Sequence, residues 1–155
     1  MLHKIVKTKE GFDLTILRIA LGAVMFPHGA QKMLGWFGGG GWTGTMHFFT
    51  ETVHMSYFTG ALTILIEFFG SIMLITGTFT RVAALGILGL FIGIIFNIAL
   101  PNGFFMNWGG DQHGEGFEYH LLVLGMSLAL IIGGAGKLSV DSLISKKQTI
   151  VLNNK

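Results

Sequence analysis

The chain has 155 residues, of which 51% are hydrophobic and only 12% are charged, and its mean hydropathy is +0.65. Because a soluble domain carries about a quarter charged residues, this composition indicates an integral membrane protein. The sequence contains no cysteine, which excludes thiolate nucleophiles and Cys-ligated iron–sulfur or zinc sites. The net charge of +2 comes from short basic clusters beside hydrophobic runs, and nothing in it predicts binding to nucleic acid.

Four apolar segments follow one another along the chain, each long enough to cross a hydrocarbon core of about 30 Å as a helix. They lack the two-residue alternation that is typical of the strands of a membrane barrel. We therefore predict an all-α fold, an integral membrane four-helix bundle forming one membrane domain over residues 1–155. The predicted spans are 13–34, 57–77, 80–100 and 117–135, followed by a tail at 142–155.

The distribution of basic residues predicts the orientation of this bundle. Of the ten Lys and Arg residues, two lie inside the first segment and the other eight fall on one side of the membrane: Lys4, Lys7, Lys9, Arg81, Lys137, Lys146, Lys147 and Lys155. The positive-inside rule then places both termini in the cytoplasm.

Two outer loops, residues 35–56 and 101–116, are rich in both glycine and aromatic residues. We expect them to lie at the outer mouth of the bundle, anchored at the level of the headgroups by Trp36, Trp42 and Trp108.

Small residues recur at helical spacing in the third and fourth segments. Gly86, Gly89 and Gly93 share one stripe, and Gly125 and Ala129 form a small-xxx-small pair. Such patterns predict tight helix–helix packing at these positions.

Polar side chains interrupt the apolar segments and are predicted to meet in a pocket in the outer half of the bundle. A charge facing lipid is costly, so these side chains should point inward and pair. Depth favours a pair between Lys32 and Glu118, with Glu67 reaching either Arg18 or Lys32. The candidate residues for ligand binding or proton transfer are Arg18, His28, Gln31, Lys32, Glu67, Asn97 and Glu118.

The same polar residues are also compatible with structural roles and, for two histidines, with haem binding. Buried charges can serve only to hold helix register, and Lys32 can extend toward the interface. His28 and His120 lie at similar predicted depths, but a bis-histidine haem has only weak support because no second haem signature is present. The loop histidines and carboxylates match no metal motif, so no metal site is predicted.

Several motifs, in this order, resemble the DoxX family of small bacterial membrane proteins. They are HGAQKMLGWFGGGG at 28–41, Glu67 with Gly70, GTFTR at 77–81, PNGFF at 101–105, FEY at 117–119 and GAGKLSVD at 134–141. The resemblance covers about residues 13–143 and implies four transmembrane helices in a bacterial cytoplasmic (inner) membrane. It also implies a link to thiosulfate:quinone oxidoreductase and oxidative-stress complexes. The residues that carry over by resemblance are Arg18, His28, Lys32, Glu67 and Glu118; relatives often differ at Ala99 and His120.

The function that these features predict is that of a membrane subunit of a quinone-linked oxidoreductase system. A quinone, or a similar small lipophile, is the candidate cofactor, with Lys32, His28 and Gln31 as donors and Glu67 and Glu118 as proton carriers. Since nothing in the chain carries an electron, a partner subunit or the quinone must supply the redox centre. The alternatives are a small-solute or lipophile transporter or binding protein, and a membrane scaffold whose buried charges are structural. The expected partner is the lipid bilayer, and the sequence is also compatible with a redox partner subunit and with a homo-oligomer.

Overall fold

The computed structural model describes the backbone of residues 5–153 and the side chains of residues 5–147; Lys4 and Lys155, which were used to predict the orientation, lie outside this range. The described residues form helices, turns and loops, with no strand among them. The helices are α1 (Phe12–Leu34), α2 (Gly41–His47), α3 (Tyr57–Thr76), α4 (Thr80–Ile94), α5 (Glu118–Gly133) and α6 (Val140–Asn153). A 3-10 turn at Trp36–Gly38 precedes α2, a π-helical turn at Phe48–Thr52 follows it, and α4 continues through Ile95–Ala99 to Leu100–Asn102.

Four of these helices surround a common core. α1 and α4 each contact both α3 and α5, so that α3 and α5 lie on opposite sides of the group. The contact of α1 with α3 is extensive, whereas its contact with α5 is slight. The core between the helices contains Leu21, Met25, Leu74, Ile87 and Leu130, all fully buried.

The close approach of α1 to α3 depends on two glycines of α1, Gly22 and Gly29. A Cβ atom on Gly29 would lie 2.6 Å from the Cα of Phe68, and one on Gly22 would lie 3.0 Å from the carbonyl oxygen of Ser71. The spacing of seven residues places both glycines on one stripe of α1, and only glycine lets the backbones meet there.

Three of the glycines that were expected from the sequence to pack helices do not do so within the described part of the chain. Nothing lies within 4 Å of a Cβ atom added to Gly89, Gly93 or Gly125, whereas one added to Gly86 would be in van der Waals contact with the side chain of Ile66 in α3. The prediction was wrong because a stripe of small residues shows a helix face that permits close packing but does not show which face is occupied.

The outer surface of the helices is apolar, as a lipid environment requires. Large exposed side chains include Ile16, Phe58, Leu85, Leu122 and Ile132. Two helical segments, Tyr57–Thr76 and Thr80–Asn102, are long and apolar enough to cross a membrane, and α5 is a shorter apolar helix. The four crossings and the orientation remain predictions.

The first outer loop contains a short helix despite its many glycines. It contains α2, which is fixed against α3 because the side chain of Met46 is buried close to Gly60. The predicted tail is also helical from Val140, where α6 begins.

One end of this group of four helices, which we call the closed end, is formed by residues 8–11 together with residues 133–141. The backbone N–H of Lys9 donates to the carbonyl of Gly133 (3.0 Å), and that of Gly136 donates to the hydroxyl of Thr8 (2.6 Å). Nearby at the surface, Lys146 contacts Glu10 (2.7 Å), and this hydrogen bond and charge lower the pKa of the Glu10 carboxyl.

A buried carboxylate joins α6 to the start of α4 at the closed end. Asp141 accepts hydrogen bonds from the backbone N–H groups of Phe79 (2.8 Å) and Thr80 (2.9 Å). A carboxylate at a helix N-terminus satisfies unpaired donors and interacts favourably with the helix dipole. This contact also holds Phe79 in its left-handed conformation, with a φ of 46°.

Candidate functional site

A cavity of about 170 Å³ lies between the four core helices, away from the closed end. All four helices contribute side chains to its wall. The lining residues are Met25 and His28 of α1, Glu67 of α3, Phe91 and Ile94 of α4, and Tyr119 and His120 of α5.

The wall formed by α3 carries an ion pair. The Nζ atom of Lys32 donates to the Oε2 atom of Glu67 at 2.5 Å, and the two side chains are 25% and 6% exposed. The pair forms here because Gly29, one turn before Lys32, brings α1 against the backbone of Glu67 and Phe68. The carboxylate is therefore held in place by a partner that remains in contact with the surface.

The opposite wall, formed by α5, carries a buried polar atom, the hydroxyl of Tyr119, that has no hydrogen-bond partner in the described part of the chain. The ring of His120 lies beside it on the same wall. Leaving a buried polar atom unpaired costs about 1–3 kcal/mol, so such atoms call for a physical cause such as a bound ligand or water. Tyr119 and His120 both line the cavity, and the unpaired hydroxyl of Tyr119 is the candidate on this wall to contact a ligand.

Apolar side chains fill the remaining wall and limit what the cavity can hold. The ring of Phe91 lies 5.4 Å from the ring of His120 and 6.2 Å from that of Tyr119. A cavity of about 150 Å³ accommodates benzene, and drug-sized ligands need about 300 Å³ or more. The cavity therefore suits one six-membered ring.

The haem alternative does not fit this geometry. His28 and His120 do line the same cavity, as their predicted depths suggested. A haem macrocycle, however, is several times larger than one six-membered ring and exceeds the available volume. Across the residues that the structure describes, no three His, Asp or Glu side chains are grouped so that they could hold a metal ion.

Arg18 lies inside the bundle but belongs to the closed end rather than to the cavity. Its side chain is 1% exposed and donates to the carbonyl oxygens of Leu74 (2.9 Å), Ile75 (2.6 Å), Ala135 (2.8 Å) and Leu138 (2.7 Å). These bonds satisfy carbonyls at the end of α3 and in the loop after α5. Of the two partners expected for Glu67, Lys32 makes the contact and Arg18 does not, because carbonyl oxygens at its own depth occupy all three guanidinium nitrogens of Arg18.

The expected ion pair between Lys32 and Glu118 does not form either. The Oε1 atom of Glu118 accepts hydrogen bonds from the backbone N–H of Met106 (3.0 Å) and from the Nε1 atom of Trp108 (3.3 Å). Glu118 thus positions the second outer loop. Lys32 pairs with Glu67 instead, because Gly29 brings α1 closest to α3.

Gln31 and Asn97, two further candidates, make local contacts outside the cavity. Gln31 donates to the carbonyl of Phe37 (3.2 Å) after the end of α1, and Asn97 donates to the carbonyl of Gly93 (2.7 Å) within its own helical segment. The structure therefore brings His28, Glu67 and the haem candidate His120 to the cavity wall, pairs Lys32 with Glu67 beside it, and leaves the remaining candidates elsewhere.

Four lining residues were not predicted from the sequence. They are Met25, Phe91, Ile94 and Tyr119. Tyr119 stands in the FEY motif next to His120, and its hydroxyl is a rare donor among apolar residues, so this signal was available. The apolar side chains carry no signal, because a cavity wall and a helix core use the same residues at the same spacing.

Three of the four helices around the cavity lie in a region that is shared with a known protein family. The DoxX family model matches residues 14–100, which is more than half of the chain and includes Lys32, Glu67 and Phe91. No curated protein and no solved structure gives a match. The match leaves α5, with Tyr119 and His120, outside the shared region. The resemblance seen in the motifs is confirmed: the chain belongs to the DoxX family, a family of membrane proteins.

Proposed function

We propose that this protein is a membrane subunit of a quinone-linked oxidoreductase system that binds the ring of a quinone, or of a similar small lipophile, in the cavity. Membership of the DoxX family supports the coarse part of this proposal, since the family is membrane-associated and linked to oxidoreductase functions. The binding of a quinone ring is supported by the volume and the chemistry of the cavity wall.

In this proposal, α1, α3, α4 and α5 cross the bacterial inner membrane as a four-helix bundle with both termini in the cytoplasm. The exposed apolar side chains around the four helices support the crossing. The basic residues Lys7, Lys9, Arg81 and Lys137 gather at or near the closed end, which supports placing that end inside. The cavity then lies in the outer half of the membrane.

The observation that carries the proposal is that polar groups lie on opposite walls of a cavity the size of one ring. A quinone carries its two oxygen atoms on opposite sides of a six-membered ring. The Tyr119 hydroxyl can donate to one of these oxygens. In the reduced form the other oxygen is a hydroxyl, which can donate to the carboxylate of Glu67.

Glu67 can also accept the proton of that hydroxyl, because Lys32 holds the carboxylate at a fixed position beside the cavity. The chain has no cysteine that could carry electrons or hold an iron–sulfur cluster. A partner subunit therefore exchanges electrons with the ring, and this protein binds the ring, excludes water and moves the proton.

Transport of a small solute has less support than binding. A transporter must open the site to both sides of the membrane, yet the closed end is filled by the hydrogen bonds of Arg18 to five carbonyl groups. A purely structural scaffold does not account for the unpaired buried hydroxyl of Tyr119 on the wall of a cavity.

Equilibrium binding tests the proposal directly. The full chain in lipid nanodiscs is titrated with a prenylated benzoquinone, and the bound ligand is quantified after separation. The chain has two tyrosines, so Tyr119→Phe has a matched control in Tyr57→Phe, which alters an exposed hydroxyl. We expect Tyr119→Phe to weaken binding about tenfold, as the loss of one buried hydrogen bond implies, and Tyr57→Phe to leave it unchanged.

Two results would overturn the proposal. Wild-type protein that takes up no more of the benzoquinone than empty nanodiscs would favour the scaffold. Equal affinities for the Tyr119→Phe and Tyr57→Phe variants would remove the cavity as the binding site.

A further inference from the structure

We infer that the cavity opens sideways to the lipid, between the outer parts of α1 and α5, and that its ligand moves through this opening from the bilayer. His28 lies at the edge of the opening. The identity of the ligand as a quinone rests on the proposed function, whereas the opening is a feature of the fold that can be tested separately.

The face of α1 that points to α5 can be followed along the helix. Leu14, Leu21 and His28 are spaced by seven residues and so lie on one stripe. Near the closed end the stripe is in contact with α5: a Cβ atom on Gly133 would lie 2.7 Å from the side chain of Leu14. Leu14 and Leu21 are buried, but His28 is exposed although it lines the cavity. The seam between α1 and α5 is therefore closed at Leu14 and open at His28.

The two helices separate because α1 follows α3. Gly22 and Gly29 hold α1 against the backbone of α3 over two turns, at the levels of Ser71 and Phe68. The contact with α5, in contrast, is slight and includes Gly133 at the end of that helix. The outer part of α1 thus stays on α3 and leaves a gap toward α5.

The rim of this gap is apolar and exposed. Val24 lies one turn before His28 on α1, and Leu122 lies one turn after Tyr119 on α5. Both side chains are exposed on the outside of the bundle. In a membrane they face acyl chains, so a ligand with an apolar tail can keep the tail on Val24 and Leu122 while its ring fills the cavity.

The opposite route, from the closed end, is blocked. Between the cavity and that end lie the fully buried residues Leu21 and Leu74 and the guanidinium of Arg18, which is hydrogen-bonded to backbone carbonyls. A ligand would have to break these contacts to pass. The opening at His28 therefore favours a lipid-soluble ligand that diffuses within the bilayer.

Kinetics of ligand binding test the opening. The association rate of a radiolabelled prenylated benzoquinone with the full chain in nanodiscs is measured by rapid filtration. Val24→Trp and Leu122→Trp each place a larger side chain on the rim and so narrow the opening. Leu85→Trp places the same side chain on the exposed face of α4 as a matched control. We expect both rim variants to slow association at least tenfold and the Leu85→Trp variant to keep the wild-type rate. Rim variants that match the control would contradict the lateral route.

A second measurement does not depend on the ligand. Because the chain has no cysteine, His28→Cys can be spin-labelled at a single position, with Leu85→Cys and Trp108→Cys as references for lipid and for the surface loop. We expect the label at position 28 to collide with oxygen as often as the label at position 85 and to avoid a water-soluble nickel complex. A label at position 28 that prefers the nickel complex would show an opening to water instead. If the benzoquinone does not bind but the label faces lipid, the proposed function fails and the opening stands.

Discussion

Removal of Lys32 should be more damaging than removal of its partner, although both belong to one ion pair. In the Lys32→Met variant, the carboxylate of Glu67 stays behind with 6% exposure and loses the hydrogen bond from Nζ. Taking one partner from a buried pair typically costs about 3–5 kcal/mol, because the remaining charge is unpaired in a poorly hydrated site. We therefore expect the free energy of unfolding to fall by about 3 kcal/mol.

The Glu67→Gln variant should lose less of the free energy of unfolding than the Lys32→Met variant. The side chain of Lys32 is 25% exposed, so its flexible stem can carry the ammonium group to the surface when the carboxylate is gone. We expect a loss of about 1 kcal/mol, close to the net contribution of one hydrogen bond. The double variant Lys32→Met with Glu67→Gln should lose about 2 kcal/mol less of the free energy of unfolding than the sum of the losses in the two single variants.

Equilibrium unfolding in mixed micelles, followed by far-UV circular dichroism, gives these free energies for the three variants and the wild type. Lys146→Met is a suitable control, because it removes the lysine of the exposed pair with Glu10, which should contribute little. The reasoning fails if Lys32→Met costs no more than Glu67→Gln, or if the double-mutant cycle shows no coupling between the two positions.

Three further predictions concern the contacts that shape the site. Gly29→Ala should destabilise the protein by about 1–3 kcal/mol, because the added Cβ would meet the backbone of α3, whereas Gly89→Ala adds a Cβ in open space and should be neutral or slightly stabilising. Thermal unfolding compares the stabilities of the two variants. Equal losses of stability would contradict the assigned contact between α1 and α3. Arg18→Met should lower the free energy of unfolding by about 3–5 kcal/mol and make the closed end sensitive to protease. Arg81→Met removes a part-buried arginine and should lower it clearly less. The reverse order would refute the role given to Arg18. Asp141→Ala should lower the free energy of unfolding by about 2 kcal/mol and increase the rate of hydrogen exchange at the amide of Thr80. An unchanged exchange rate at this amide would show that the carboxylate does not cap α4.

The helical elements were accessible from the sequence because long apolar runs have few alternatives. Each of the four apolar segments coincides with one of the helices α1, α3, α4 and α5, with ends that differ by between none and six residues. The fourth helix ends at Gly133 rather than at 135, since Gly134 adopts a positive φ of 86°. The helix α2 was not foreseen, because its stability depends on the burial of Met46 against α3 and not on its glycine-rich sequence.

The partners of the polar groups were harder to predict than their depth. Counting residues from the ends of a span gives the height of a side chain, and it predicts His28, Lys32 and His120 near the outer face with Glu67 beneath them. In the structure, His28, Glu67 and His120 line one cavity and Lys32 pairs with Glu67. Height does not give the rotation of each helix, which decides that Lys32 meets Glu67. That rotation follows from the glycine contacts between α1 and α3, which become visible only when both helices are placed.

Hydrogen bonds to the segments that connect the helices explain why two predicted pocket residues, Arg18 and Glu118, lie elsewhere in the structure. Arg18 and Glu118 were assigned to the pocket because charges inside an apolar segment usually mark function. Both instead satisfy backbone groups, at the closed end and in the second outer loop respectively. A single sequence does not show which loop backbone comes near a given charge, so a structural arginine and a ligand-binding arginine look the same in it.

The central claim is that the cavity between α1, α3, α4 and α5 holds the ring of a lipid-soluble ligand. Photolabelling tests it most directly: an azido-benzoquinone with a prenyl tail is activated in nanodiscs containing the full chain, and the labelled residues are mapped by mass spectrometry. We expect labels on Met25, His28, Tyr119 or His120 that disappear when excess unlabelled prenylated benzoquinone is present. Labels confined to exposed residues such as Leu85, or labels that the competitor does not reduce, would contradict it.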